Sequence, residues 1–318
     1  MTYLLLLLGF VFLIKGAGFL VDGASSLAKK LNISNLVIGL TIVAFGTSAP
    51  ELFVNLFASF NGTTDIAIGN IVGSNIVNVL LILGIAAIIY PLKVGKGTVW
   101  KEIPMSLLAA ILVLIMANDF IVDGVNFNSL TRSDGVVLIA FFIIFLYYTF
   151  GIAKNTSNDE TQSPPKVYSG LYSAGLIAIG LVGLVIGGQW IVNSATTIAV
   201  SFGLSSAFIG LTIVAIGTSL PELATSAVAA YKKNSDIAVG NVVGSNIFNI
   251  FWILGLSAFI KPLPFRLELN LDLWVMVGAS ALLFIWMFLG KRHVLERWQG
   301  VILILLYVGY VTAITLRG

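Results

Sequence analysis

The run Gly39-Leu40-Thr41-Ile42-Val43-Ala44-Phe45-Gly46-Thr47-Ser48-Ala49-Pro50-Glu51 returns, little changed, as Gly210-Leu211-Thr212-Ile213-Val214-Ala215-Ile216-Gly217-Thr218-Ser219-Leu220-Pro221-Glu222. A second block, Asp65 to Asn78, returns as Asp236 to Asn249 at the same offset of 171 residues, and Pro91-Leu92 finds Pro262-Leu263. The chain is therefore two copies of one unit. Each copy sets a carboxylate, Glu51 or Glu222, inside an otherwise apolar run. An ionised side chain at bilayer depth costs at least ~3 kcal/mol, which makes it a functional-site candidate by default. Duplication argues that both were placed on purpose.

Composition says that these runs lie in a membrane. The chain is 58% hydrophobic and 10% charged, where a soluble domain carries about 25% charge. A net charge of +3 is too small to argue for nucleic acid. With no cysteine there is no disulfide, thiolate metal site or cysteine nucleophile. His293, the single histidine, falls in a charged loop, which removes zinc-hydrolase and His-relay chemistry.

Since ~20 apolar residues cross the hydrocarbon core, spans are predicted near 3–24, 34–60, 66–90, 104–122, 134–153, 170–200, 206–231, 236–260, 271–290 and 299–316. The opening Met1-Thr2-Tyr3 lacks a basic leader, so it is read as the first span and not a cleaved signal. The expected fold is an all-α polytopic membrane protein of ten helices: a five-helix repeat over 1–153, a polar, disordered linker over 154–169 and a second repeat over 170–318. Five crossings is an odd number, so the second copy enters from the opposite side and the repeat is inverted. That arrangement places a binding site at the midplane.

Loop charge orients the chain. One side would hold Lys29, Lys30, Lys93, Lys96, Lys101, Lys154, Lys166, Lys232, Lys233, Lys291, Arg292 and Arg297; the other would hold Arg132, Lys261, Arg266 and Arg317. The positive-inside rule makes the first side cytoplasmic, with both termini outside a cell membrane.

Pro50 and Pro221 precede the two carboxylates. Each removes a donor and clashes with the carbonyl four residues back, at Gly46 or Gly217. A packing kink explains a lone proline; a Glu following it in both copies points to carbonyls freed to line a cavity. In the second block Asn70, Ser74 and Asn78 share one helical face, as do Asn241, Ser245 and Asn249. Gly69 and Gly73 form a small-xxx-small pair that lets another helix approach.

Assembled about an inverted axis, these residues offer two carboxylates, hydroxyls, amide oxygens and carbonyls. An all-oxygen cage suits a hard cation: Ca²⁺ takes ~6–8 oxygens in a flexible shell, whereas Mg²⁺ gives up its waters reluctantly. The same oxygens could be divided among Na⁺ ions. Two carboxylates left without an ion would repel, stay poorly solvated or capture protons. An empty carrier then crosses slowly, and exchange becomes obligatory.

The four blocks, in order, resemble the α-repeats of the sodium/calcium exchangers of the Ca²⁺/cation antiporter superfamily. The resemblance implies alternating-access exchange of Na⁺ for Ca²⁺, normally extruding Ca²⁺. It implies that Glu51 and Glu222, with the carbonyls of Thr47 and Thr218, hold Ca²⁺. One flanking Na⁺ site would use Ala44, Ser48, Ser74 and Glu222, the other Ala215, Ser219, Ser245 and Glu51, with Asn78 and Asn249 completing the centre. K⁺-dependent relatives carry Asp where Asn249 stands, so no K⁺ requirement is expected. Relatives in animals carry a large regulatory insert, which Lys154–Tyr168 cannot house.

Competing readings are a Ca²⁺/H⁺ antiporter using the same carboxylate pair, a cation channel and an intramembrane enzyme. Hydroxyl and carbonyl ligands favour Na⁺ over H⁺. A channel needs a continuous pore, and an enzyme needs a metal or a nucleophile–base pair that this chain lacks. Ca²⁺ and Na⁺ are thus the expected substrates, with the bilayer as surroundings and neither a cofactor nor an obligatory protein partner. Elsewhere Lys15 reads as a snorkelling lysine, and Asp65 and Asp236 as N-caps with an outside chance of gating the ion path. Asp119 and Asp123 read as solvated acids of an external loop or as attractors of cations, and Gly180, Gly183, Gly187 and Gly188 as a packing or sliding surface.

Overall fold

The computed structural model describes residues 2–61, 64–122, 124, 126–153, 167–202 and 215–317. The first repeat holds α1 (Thr2–Leu31), α2 (Asn35–Thr47), α3 (Ala49–Asn61), α4 (Thr64–Ile76, continuing to Ile89), α5 (Lys96–Met116, with a break at Lys101), the short α6 (Asp119–Val122) and α7 (Arg132–Ala153). The second holds α8 (Gly170–Ser201), α9 (Ala215–Thr218), α10 (Leu220–Tyr231), α11 (Ser235–Ile260), α12 (Asn270–Trp286) and α13 (Arg297–Arg317). Among the described residues, eight helices are long and apolar enough to cross a membrane, and α2 with α3, bent by 47°, makes a ninth. The predicted span 206–231 is described only from Ala215 onward. The linker from Lys154 to Lys166 lies outside the described residues.

Several boundaries differ from the sequence expectation. Helix α1 runs on to Leu31 instead of stopping at 24, because helix length is not limited by the apolar run: Lys29 and Lys30 continue it past the hydrocarbon. Asn32 then stops it in a left-handed conformation (φ 55°), with the Ile33 amide donating to the Ala28 carbonyl at 3.0 Å. The fourth predicted span, 104–122, starts earlier and ends at Met116. Pro104 sits in the first turn of the segment that begins at Glu102, where its missing donor costs nothing. At the other end the Asn118 amide donates to the Leu114 carbonyl and exchanges hydrogen bonds of 2.8 and 2.9 Å with Asn270.

The expected cap at Asp236 belongs to Asn234, whose side chain accepts from the Ile237 amide at 3.1 Å. An amide oxygen can serve the same orphan donor as a carboxylate. Asp119 is more than a solvated acid, since it accepts the Ser129 amide at 2.8 Å and pins the loop. Asp123 and the Asp65 side chain lie outside the described residues. Lys15 is exposed on α1.

The core is central and paired. The spans within α4 and α11 are 78% buried, against 22–39% for the other six, so these two helices form the axis of the bundle. Gly240 and Gly244 of α11 lie against the Leu36, Leu40 and Ala44 turn of α2; a Cβ on Gly244 would come within 2.8 Å of the Leu40 carbonyl. The equivalent partners of Gly69 and Gly73, residues 207 and 211, lie outside the described residues. Two-residue strands close the loops in antiparallel pairs. Leu92–Lys93 pairs with Val294–Leu295, and Ser129–Leu130 with Leu263–Pro264, so each pair joins one repeat to the other.

Helices α1 and α8 form a separate antiparallel seam with a small residue every seventh position, about two helical turns. Gly9 meets Gly187, Gly16 meets Gly180 and Gly23 meets Ser173. A Cβ on Gly180 would stand 2.7 Å from the Leu20 nitrogen and 2.8 Å from the Gly16 carbonyl. The packing part of the expectation for these glycines therefore holds at Gly180, Gly183 and Gly187, while Gly188 makes only ordinary contact with Leu220. The pair is tied back to α10 by Lys232, which bridges to Asp22 at 2.7 Å and donates to the Gly18 carbonyl at 3.0 Å.

Replacing Gly180 with valine should lower stability by about 1–3 kcal/mol, the usual cost of overpacking, read as a fall in thermal midpoint in detergent. Gly175→Ala on the same helix, where a Cβ meets nothing within 4 Å, should be neutral or slightly stabilising.

Candidate functional site

Proline decides where the helices break. A proline in a first turn lacks only a donor that has no helical partner anyway, so the chain ends one helix at Thr47 and starts the next at Ala49. Ser48 forms the break with φ −82° and ψ 8°. The second copy does the same at Ser219, with φ −87° and ψ 5°. Glu51 and Glu222 consequently lie in the first turns of α3 and α10. There the positive end of the helix dipole favours a carboxylate.

Both carboxylates are buried, at 0% and 1% exposure. Each is held from both repeats. Oε1 of Glu222 accepts from Ser48 at 2.9 Å and from Ser245 at 3.4 Å; Oε1 of Glu51 accepts from Ser219 at 3.3 Å and from Ser74 at 3.4 Å. Every bond has a counterpart 171 residues away. The same duplication continues outward. Thr47 donates to Asn241 at 3.0 Å and Thr218 to Asn70 at 3.5 Å. Asn241 donates to Ser226 (2.9 Å) and Asn70 to Asn55 (2.8 Å). Ser226 and Asn55 reach the carbonyls of Ala238 and Ala67.

A third layer joins the halves through amides. Asn78 donates to the Asn246 side chain at 2.9 Å and Asn249 to the Asn75 side chain at 3.0 Å. Asn78 and Asn249 sit at the start of π-helical stretches, Val77–Ile82 and Phe248–Leu254. Such widened turns interrupt helices frequently at functional sites.

Of the expected residues, Ser48 and Ser245 thus bond Glu222, Ser219 and Ser74 bond Glu51, Thr47 and Thr218 bond Asn241 and Asn70, and Asn78 and Asn249 bond Asn246 and Asn75. Ala44 is buried where α2 packs on Gly244. Ala215 opens α9, and its side chain lies outside the described residues. Ser74 hydrogen-bonds Glu51, and Ser245 hydrogen-bonds Glu222. Asn75, Asn246, Asn55 and Ser226 were not among the expected site residues. Asn75 and Asn246 lie in the duplicated Gly-Ser-Asn block, but one position off the i, i+4 stripe. Only the duplication itself could have flagged them.

Oε2 of Glu51, Oε2 of Glu222, Oδ1 of Asn78 and Oδ1 of Asn249 are buried with no hydrogen-bond partner among the described residues. All four are acceptors. Buried acceptors without donors are costly, and a hard cation is the partner that satisfies several at once.

Comparison with known proteins places the fold. The family model described as sodium/calcium exchanger protein matches residues 1–151 and 172–316. The chain belongs to the sodium/calcium exchanger protein family. Within it, CaxA of Alkalimonas amylolytica is 41% identical over 96% of this chain and 95% of its own. The sodium/calcium exchanger MaX1 of Methanosarcina acetivorans is 35% identical over 98% of each chain. A solved structure of the sodium-calcium exchanger NCX_Mj, soaked with zero Na⁺ and Ca²⁺, is similar at a TM-score of 0.84 and 35% identity, covering 98% of both chains. Like them, this exchanger-family chain is a multi-helix membrane protein.

Asn241 is the busiest side chain of the network, accepting from Thr47 and donating to Ser226 and to the Glu222 carbonyl. Asn241→Leu strands those groups, each worth about 1–3 kcal/mol when buried unmade. It should lower the thermal midpoint clearly in ion-free detergent; an unchanged midpoint would show that these bonds do not hold the helices together.

Proposed function

We propose that the protein is a secondary antiporter that exchanges Na⁺ for Ca²⁺ by alternating access. The observation that carries this is the set of four buried, acceptor-only oxygens from Glu51, Glu222, Asn78 and Asn249. Each repeat donates two of them. Two carboxylates neutralise one Ca²⁺, and the remaining oxygens of Thr47, Thr218, Ser48, Ser219, Ser74, Ser245, Ala44 and Ala215 complete the shell or serve Na⁺ at its flanks. Because both ions need the same two carboxylates, loading one displaces the other. With no ion, the carboxylates have nothing to balance them in the low-dielectric core, and crossing is slow.

The reading of the fold that goes with this is ten spans in two inverted repeats, 1–153 and 170–318, joined by a cytoplasmic linker over 154–169. The duplicated hydrogen bonds support a twofold relation between the repeats. The basic loops support both termini facing out of the cell membrane. Hydroxyl and carbonyl ligands support Na⁺ as the counter-ion, and the amide at Asn249 in place of a carboxylate supports independence from K⁺.

Liposomes containing the purified protein and loaded with Na⁺ should take up ⁴⁵Ca²⁺ when diluted into Na⁺-free buffer at clamped pH, equally with and without K⁺. Glu51→Gln and Glu222→Gln should each reduce uptake more than ~10-fold, since ligand charge sets Ca²⁺ affinity. Uptake driven by a pH gradient without Na⁺ would instead establish a Ca²⁺/H⁺ antiporter. Undiminished transport in both variants would remove the carboxylates from the mechanism.

A further inference from the structure

An amide side chain can turn either its oxygen or its NH₂ toward a site, and the two orientations have nearly the same shape. Only the oxygen suits a cation. Something must therefore choose the orientation of Asn78 and Asn249. Their own bonds show what does. Nδ2 of Asn249 donates to Oδ1 of Asn75, and Nδ2 of Asn78 donates to Oδ1 of Asn246. Asn75 is itself anchored, because its Nδ2 donates to the backbone carbonyl of Asn246 at 3.3 Å. A carbonyl can only accept, so the Asn75 NH₂ must face it and the Asn75 oxygen must face Asn249. The chain of constraint runs from a main-chain carbonyl through Asn75 to Asn249, and ends on the oxygen that is left without a donor.

We infer that Asn75 and Asn246 are positioning residues that lock the amides of Asn249 and Asn78 with oxygen toward the ion. Each acts on a ligand of the opposite repeat. Both are buried at 2% exposure, and neither is among the donors to the carboxylate oxygens. With the lock removed, either amide is free to rotate, and half of its orientations present the positive end of the N–H dipoles to a cation. This inference rests on the cation-binding reading above.

Aspartate at a ligand position has oxygen on both sides and needs no orienting, which gives a test by double-mutant cycle. The measurement is the equilibrium Kd for ⁴⁵Ca²⁺ on purified full-length protein, beside its thermal midpoint without ions. Asn75→Leu in the wild-type background should weaken Ca²⁺ binding ~10-fold or more, an effect of the size such cycles resolve. In an Asn249→Asp background the same change should cost less than ~3-fold or improve binding, because the Asn75 oxygen would there oppose a second oxygen. Equal losses in the two backgrounds would show a merely structural interhelical bond and overturn the inference, as would no loss in the first. Should Asn75→Leu fail to fold, Asn246→Leu with Asn78→Asp runs the equivalent cycle. Glu51→Gln is carried in parallel: if it binds Ca²⁺ as wild type does, the cation site itself is wrong, an outcome separate from any result of the cycle.

Discussion

A carboxylate buried at membrane depth must have its oxygens satisfied without water, and the bundle is arranged around meeting that demand twice. One oxygen of each glutamate is held by two serines, one from each repeat. The other oxygen is buried without a hydrogen-bond partner among the described residues. This division gives the site a rigid frame and an open valence at once. Hydroxyls are suited to the framing role because they can donate to a carboxylate while keeping lone pairs for a cation. The broken helices serve the same end, since each break delivers a glutamate to a helix N-terminus and puts a serine at the break itself.

Around this polar centre the packing is of two kinds. Helices α4 and α11 are enclosed nearly all round, and the polar network is threaded along them, so disturbance there reaches the ligands directly. Helices α1 and α8 meet on a seam of glycines in which backbones nearly touch. Their link to the rest runs partly through polar contacts at one end, where Asp22 meets Lys232 and Ser25 accepts from Asn234 at 3.1 Å. Association between membrane helices depends on close backbone approach and polar contacts, because lipid is as apolar as the side chains. The seam supplies the first and its polar end the second.

Much of this was legible in the sequence because duplication and depth are both readable there. Glu51 and Glu222 stood out as charges in apolar runs, and the constant offset made Ser48, Ser74 and Asn78 visible together with their copies. The breaks were legible too, as prolines next to Gly-Thr-Ser. What escaped had physical reasons. Asn75 and Asn246 lie in α-helical backbone one position off the four-residue stripe, so a strict stripe passes over them. Helix ends were misplaced wherever a polar residue continued or stopped a helix, as Lys30 and Asn118 do, because hydropathy reports the membrane and not the helix. The sequence points to Asp236 where the structure caps with Asn234, because sequence alone does not show which of two neighbouring oxygens reaches the free amide.

The crossed serines carry an evolutionary corollary. Ser48 serves the glutamate of the other copy, and Ser219 returns the service, so neither repeat alone supplies both hydroxyls that hold its glutamate. A lone ancestral unit would have needed a second copy to complete these pairs. Once the two were fused, a change tolerable in one copy had to be tolerable to a partner in the other. That mutual dependence explains how two stretches so far apart in the chain have kept almost the same wording.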